Sequence, residues 1–109
     1  MWICTQHGFV SIVQDTTRPG HLLVRARDKD HLESLVPGRS VSHTPDHDYP
    51  WRVVMPAVAV ADVVSRAVVD IGYSNFKGRV DGSPLGDTWY ARALHRVWGV
   101  MFNEAANRR

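Results

Sequence analysis

Cysteine and lysine are scarce in this chain of 109 residues, and it contains no long apolar run. Cys4 is the single cysteine, so neither an intramolecular disulfide nor a multi-cysteine zinc site can form. The longest apolar stretch, Val53 to Ala61, is interrupted by Pro56 and is too short to cross a bilayer. The opening MWICTQHG lacks the basic segment of a secretory signal. These absences predict a cytoplasmic protein that does not associate with a membrane.

An excess of basic charge is also lacking. The 13 Lys and Arg against 11 Asp and Glu leave a formal net charge of +2, which is low for a dedicated DNA-binding module. Only Lys29 and Lys77 are lysines, and arginine favours planar, bidentate contacts with carboxylates, phosphates and bases. The length and the 44% hydrophobic content predict one α+β domain over residues 1–109, with a frayed tail at Arg108 and Arg109.

The clearest element in the chain is an amphipathic helix predicted from Asp87 to Glu104. Apolar residues recur along one side at the three- and four-residue spacing of a helical face. Arg92, His95 and Arg96 lie on the opposite side. The apolar positions are Tyr90, Ala93, Leu94, Val97, Trp98, Met101 and Phe102.

The rest of the chain alternates short strands with helices. A helix opened by Pro56 runs to Ile71, and two shorter helices follow Asp28 or Asp30 and Ser74. The order predicts a two-layer α+β sandwich, with a four-stranded, mainly antiparallel sheet and the helices packed on one face. A ferredoxin-like variant is the nearest common architecture, and we expect the second helix and the C-terminal helix to build the core. The predicted strands are Trp2 to Thr5, Phe9 to Val13, His21 to Arg27 and Pro50 to Met55.

Several segments together resemble a family of small uncharacterised bacterial and phage proteins. They are MWICTQHGFVSIV, LLVRAR, YPWRVVMP, IGYSNFK and HRVWGVM. Members of that family open with a comparable MW…T…GF…V strand pair and carry NFK and VW…M elements at like positions. The resemblance covers most of the chain. It implies a shared fold and a phage origin, and it carries over no activity and no catalytic residue.

The segment SHTPDHD contains the single metal-like cluster of the sequence, formed by His43, His47 and Asp48. Imidazole and carboxylate groups are ligands for zinc and other divalent ions. Pro45 separates the two histidines, however, so they do not share a helix face. We therefore expect a solvated polar loop without metal or cofactor, and a small metal-dependent enzyme is a third hypothesis. No nucleophile turn surrounds Cys4, which we expect to pack in the core.

Three arginines form a candidate nucleic-acid surface. Residues two apart on a strand share a face, so Arg25 and Arg27 point the same way. Arg52 joins them if the fourth strand lies beside the third. With an aromatic residue such as Phe9, this face offers charge and stacking for a single nucleic-acid strand. An uncovered sheet face also uses arginine simply because it must be polar.

No acid–base pair, nucleophile set or phosphate-binding loop emerges from the chain, so we expect a non-enzymatic binding protein. The leading hypothesis is a phage-type accessory protein that contacts an unidentified host or phage protein. Its partner-binding residues would be Arg92, His95 and Arg96, and a homodimer is a further option. The alternative is a single-stranded nucleic-acid-binding domain that uses the arginine-bearing sheet face.

Overall fold

An antiparallel sheet forms the frame of the first two thirds of the chain. The structure, a computed structural model, describes residues 1–108. Its strands are β1 (Trp2–Thr5), β2 (Gly8–Gln14), β3 (His21–Ala26), β4 (Ser42–His43) and β5 (Trp51–Pro56), and its helices are α1 (Lys29–Leu35), α2 (Ala57–Val69), α3 (Phe76–Asp81) and α4 (Trp89–Ala106). The strands lie in the order β1-β2-β3-β5-β4, and every neighbouring pair is antiparallel.

The predicted α+β sandwich is confirmed, with five strands in place of four. The additional strand is β4, whose two residues pair Ser42 with Arg52 and His43 with Trp51. A strand of two residues is too short for an alternating pattern to reveal it in the sequence. Strands β3 and β4 are joined through α1 and run parallel to each other with β5 between them, which is the split βαβ arrangement that ferredoxin-like folds contain.

The core lies on one face of the sheet. Successive side chains of a strand point to opposite faces, and Ile12, Val24 and Val53 lie in register across β2, β3 and β5 on the buried face. Helices α1 and α2 cover this face. The helical members of the cluster are Leu32 and Val36 at α1 and Val60 on α2. Helix α1 therefore joins α2 in this core, which the sequence did not predict, and the contribution expected of the C-terminal helix stays a prediction.

The chain divides into two compact units, Met1–Gly72 and Tyr73–Arg109. The first unit contains the sheet with α1 and α2, and the second contains α3 and α4. Helix α4 begins and ends two residues later than the sequence predicted. The tail predicted at residues 108–109 includes Arg109, which lies outside the described residues.

Within the second unit, α3 packs against α4. Helix α3 begins after Asn75, whose side-chain oxygen accepts a hydrogen bond from the backbone N–H of Gly78 at 2.9 Å. This cap satisfies one of the N–H groups that a helix leaves unpaired at its start. In residues 1–108, no helix combines the length and the apolar character needed to cross a membrane.

Candidate binding surfaces

The apolar stripe of α4 is buried in the first half of the helix and exposed in the second half. Tyr90 and Leu94 are buried, whereas Trp98, Met101 and Phe102 are 54%, 68% and 59% exposed. All five lie on one side of the helix, because they follow its three- and four-residue spacing. The exposed part of the stripe, here named the α4 patch, consists of Val97, Trp98, Met101 and Phe102.

The aromatic rings of the α4 patch are held by neighbours in the second unit. Trp98 and Phe102 stack with ring centroids 5.3 Å apart and planes 14° from parallel. Lys77 on α3 places its ammonium nitrogen 5.0 Å from the centre of the Trp98 ring. A cation at this distance is attracted to the ring face. The patch therefore has a fixed aromatic centre with a positive charge beside it.

Arg92, His95 and Arg96, the predicted partner-binding residues, are all exposed on α4. One terminal nitrogen of Arg92 donates a hydrogen bond to the backbone oxygen of Asp87 at 3.3 Å. The Nε2 atom of His95 lies 2.7 Å from a carboxylate oxygen of Asp81 on α3. Local spacing could not predict this partner, because the two residues are 14 positions apart. His95 is therefore tied to α3, while Arg92 and Arg96 carry the outward charge.

The predicted arginines share the sheet face opposite the core with several aromatic side chains. This surface, here named the arginine face, comprises Trp2, Phe9, Arg25, Arg27, Tyr49 and Arg52. Arg25 on β3 and Arg52 on β5 are direct partners across the two strands. Like charges in directly opposite positions destabilise a sheet. Within residues 1–108, no carboxylate forms an ion pair with Arg25, Arg27 or Arg52.

Tyr49 organises the arginine face, although it was not among the residues that the sequence predicted for this surface. Tyr49 is only 5% exposed. The guanidinium carbons of Arg25 and Arg27 lie 4.7 and 4.8 Å from the ring centre. The Nε atom of Arg52 donates to the Tyr49 backbone oxygen at 3.2 Å. The three arginines therefore converge on one residue, and the only local signal was an aromatic placed just before a strand.

The two remaining aromatics extend the arginine face towards β1. The Phe9 ring lies 6.2 Å from Tyr49 and 6.2 Å from Trp2, which it meets edge to face. Trp2 is 75% exposed. Cys4 is directly opposite Phe9 across the strand pair and is also exposed. The expectation that Cys4 packs in the core is wrong, because the register of β1 places it on the face opposite the core.

The predicted metal-like residues do not converge. The ring of His43 stacks on Trp51 with centroids 3.9 Å apart, while His47 and Asp48 are exposed in the following turn. In the described part of the chain, no group of three or more histidine, cysteine or carboxylate side chains is placed to hold a metal ion.

A buried imidazole fastens the first hairpin to α1. His31 is 2% exposed, and its Nδ1 atom accepts a hydrogen bond from the backbone N–H of Phe9 at 3.1 Å. Burial lowers the pKa of His31, and the nearby carboxylates of Asp28 and Asp30 offset this only in part. The neutral ring is therefore a packing and hydrogen-bonding element.

A shallow cleft of about 190 Å³ lies beside this hairpin, lined in part by His7, Ser34 and Asp70. The hydroxyl of Ser34 donates to the backbone oxygens of His7 and His31. A hydroxyl engaged in this way is not aligned with a base for nucleophilic chemistry. The cleft therefore supports no catalytic assignment.

Comparisons with protein-family models, with curated proteins and with solved structures found no match. The resemblance to small bacterial and phage proteins stays a prediction. The α4 patch and the arginine face are the two candidate binding surfaces, and each belongs to one unit of the chain.

Proposed function

We propose that this chain is a non-enzymatic binding protein that contacts another protein through the α4 patch. The observation that carries the proposal is the exposure of Trp98, Met101 and Phe102 on one side of a single helix. Contiguous exposed apolar surface, rimmed by polar groups, is typical of protein interaction sites. Tryptophan and methionine are also enriched in the cores of such interfaces.

The charges around the α4 patch favour a partner with an acidic rim. Lys77 lies over Trp98, whereas Arg92 and Arg96 lie on the opposite side of the same helix. Residues 73–108 contain five Lys and Arg against three Asp and Glu. One of those three acids, Asp81, is paired with His95. An apolar helix or strand bordered by carboxylates would complement both the centre and the edge of the patch.

A homodimer through this helix is the competing use of the α4 patch, since the same surface of each copy would then face the other. An accessory role against a host or phage protein in the cytoplasm, as the resemblance suggests, requires no second copy.

The test is affinity capture from a host-type lysate, with and without nuclease treatment, using three versions of the chain. We expect one protein to be retained by the wild type and lost with Trp98→Gln, because truncating an interface anchor costs about 2 kcal/mol or more, roughly a 30-fold loss of affinity. Val58→Gln is the matched control, since Val58 is 81% exposed on α2 and its change should leave capture intact.

Three outcomes would contradict the proposal. Equal capture by wild type and Trp98→Gln would place the contact elsewhere. Capture that disappears only on nuclease treatment would indicate a nucleic-acid bridge. A concentration-dependent dimer in sedimentation experiments that dissociates in Trp98→Gln would assign the patch to self-association.

A further inference from the structure

The arginine face is a second surface, independent of the α4 patch. We infer that it binds single-stranded nucleic acid, with phosphates held by Arg25, Arg27 and Arg52 and a base stacked on the Trp2–Phe9 pair. Arg25 and Arg52 occupy directly opposite positions on β3 and β5. Their mutual repulsion, without a carboxylate partner among residues 1–108, is relieved when an anion lies between them.

Both guanidinium groups are held in place by their inner nitrogens. The Nε atom of Arg25 donates to the Ser11 hydroxyl at 3.3 Å, and that of Arg52 donates to the Tyr49 backbone oxygen at 3.2 Å. The terminal nitrogens of both groups make no hydrogen bond to another described residue. These are the atoms that form the parallel pair of hydrogen bonds to a phosphate. Fixed guanidiniums also lose little conformational freedom on binding.

Tyr49 keeps the third arginine in the same cluster. Arg25 and Arg27 both lie over its ring, at 4.7 and 4.8 Å from the centre. Because this ring is buried, Tyr49 supports the cations and does not stack with a ligand. Its role is to position the arginines.

The Trp2–Phe9 pair distinguishes a single nucleic-acid strand from other anionic ligands. Trp2 is 75% exposed and meets Phe9 edge to face at 6.2 Å, which leaves indole surface for a planar partner. Bases of a single strand can stack on such a ring, whereas bases of a duplex are already stacked on one another. A phosphorylated peptide would use the arginines without needing the tryptophan.

The positive charge that attracts phosphates is confined to the arginine face. Residues 1–72 contain seven Lys and Arg against eight Asp and Glu, so the first unit as a whole does not attract polyanions. We therefore expect a dissociation constant of about 1–100 μM at low salt, weaker than that of specific nucleic-acid complexes. With three phosphate contacts, the logarithm of the association constant should fall with a slope of about 2 against the logarithm of the salt concentration.

The experiment is calorimetric titration with a thymidine oligonucleotide of about 12 nucleotides, at about 50 and about 200 mM salt. We expect binding at low salt and a loss of about 15-fold between the two concentrations. Arg52→Gln should weaken binding about tenfold and reduce the salt slope. Trp2→Ala should weaken it about tenfold while the slope is unchanged.

Arg39→Gln is the matched control, because Arg39 is exposed after α1 and lies outside the arginine face. This variant should bind the oligonucleotide as the wild type does. Thermal denaturation of Arg52→Gln separates binding from folding. Removing one of two opposed cations should leave the melting temperature unchanged or higher.

Several results would overturn the inference. No binding at the lower salt concentration would remove it directly. Equal losses of oligonucleotide affinity in Arg52→Gln and Arg39→Gln would show that binding depends only on the overall positive charge. Equal affinity for a duplex of the same length would show that bases do not stack on Trp2. Binding of a phosphoserine peptide in the absence of oligonucleotide binding would assign the arginines to a phosphoprotein.

Discussion

Gly8 occupies a position where one additional carbon atom disturbs the packing of the first hairpin. Its φ is +148°, and an added Cβ would lie 2.4 Å from Cγ of His31. We expect Gly8→Ala to lower the free energy of unfolding by about 2 kcal/mol or more, through overlap and backbone strain. Urea denaturation measures the change.

The same substitution at Gly99 is the control for Gly8→Ala. Gly99 lies inside α4, and an added Cβ there meets nothing within 4 Å. Gly99→Ala should therefore raise the free energy of unfolding by about 0.5–1 kcal/mol, because alanine favours the helix. Two variants that changed stability in the same direction would contradict the close contact between Gly8 and His31.

His31 makes the stability of the first unit depend on pH. Burial lowers the pKa of this imidazole from 6.5, so the unfolded chain takes up a proton before the folded chain does. The contribution of the neutral His31 side chain to the free energy of unfolding is therefore fully present above about pH 6.5, and it is lost as the pH falls below that value. His31→Asn keeps a hydrogen-bond acceptor for the Phe9 N–H and does not titrate.

The check for His31 is urea denaturation of wild type and His31→Asn between about pH 7.5 and about pH 5. The wild type should lose more stability than the variant across this interval. Parallel curves would mean that His31 is charged or solvated in the folded protein. The absolute stability of the variant does not enter the test, since only the slopes are compared.

At the scale of a single element, α3 depends on its cap. The Asn75 side chain accepts a hydrogen bond from Gly78 at 2.9 Å, and α3 has only six residues. Asn75→Ala should cost about 1 kcal/mol of unfolding free energy, and Asn75→Ser should recover most of it. Thermal denaturation of the wild type and the two variants measures both changes. If Asn75→Ser were as unstable as Asn75→Ala, the Asn75 side chain would stabilise the protein by a contact other than the cap.

The elements differ in how far the sequence predicted them. The stripe of α4 extends over several turns, so its period was clear and its bounds were displaced by only two residues. The strand β4 has two residues and no period to detect. The short helix α1 supplies Leu32 and Val36 to the core, a role that depends on packing against the sheet and has no local signature.

At the scale of the whole molecule, the sequence likewise predicted some residues of the candidate surfaces and missed others. Strand alternation correctly placed Arg25 with Arg52, because it depends only on the period of the strand and on which strands are neighbours. Tyr49 and Asp81 were missed, since each meets its partners through the fold. Contacts between residues far apart in the chain require the strand order and helix packing, which composition and spacing do not contain.

The placement of the tryptophans has a practical consequence for following the two binding events. Trp2 belongs to the arginine face and Trp98 to the α4 patch, and both indoles are more than half exposed. Indole emission changes when solvent is displaced from the ring. In Trp98→Phe the Trp2 indole remains to report occupancy of the sheet, and in Trp2→Phe the Trp98 indole remains to report occupancy of the helix; Trp51 and Trp89 contribute to the emission of both variants. The chain thus contains a separate optical probe for each proposed ligand.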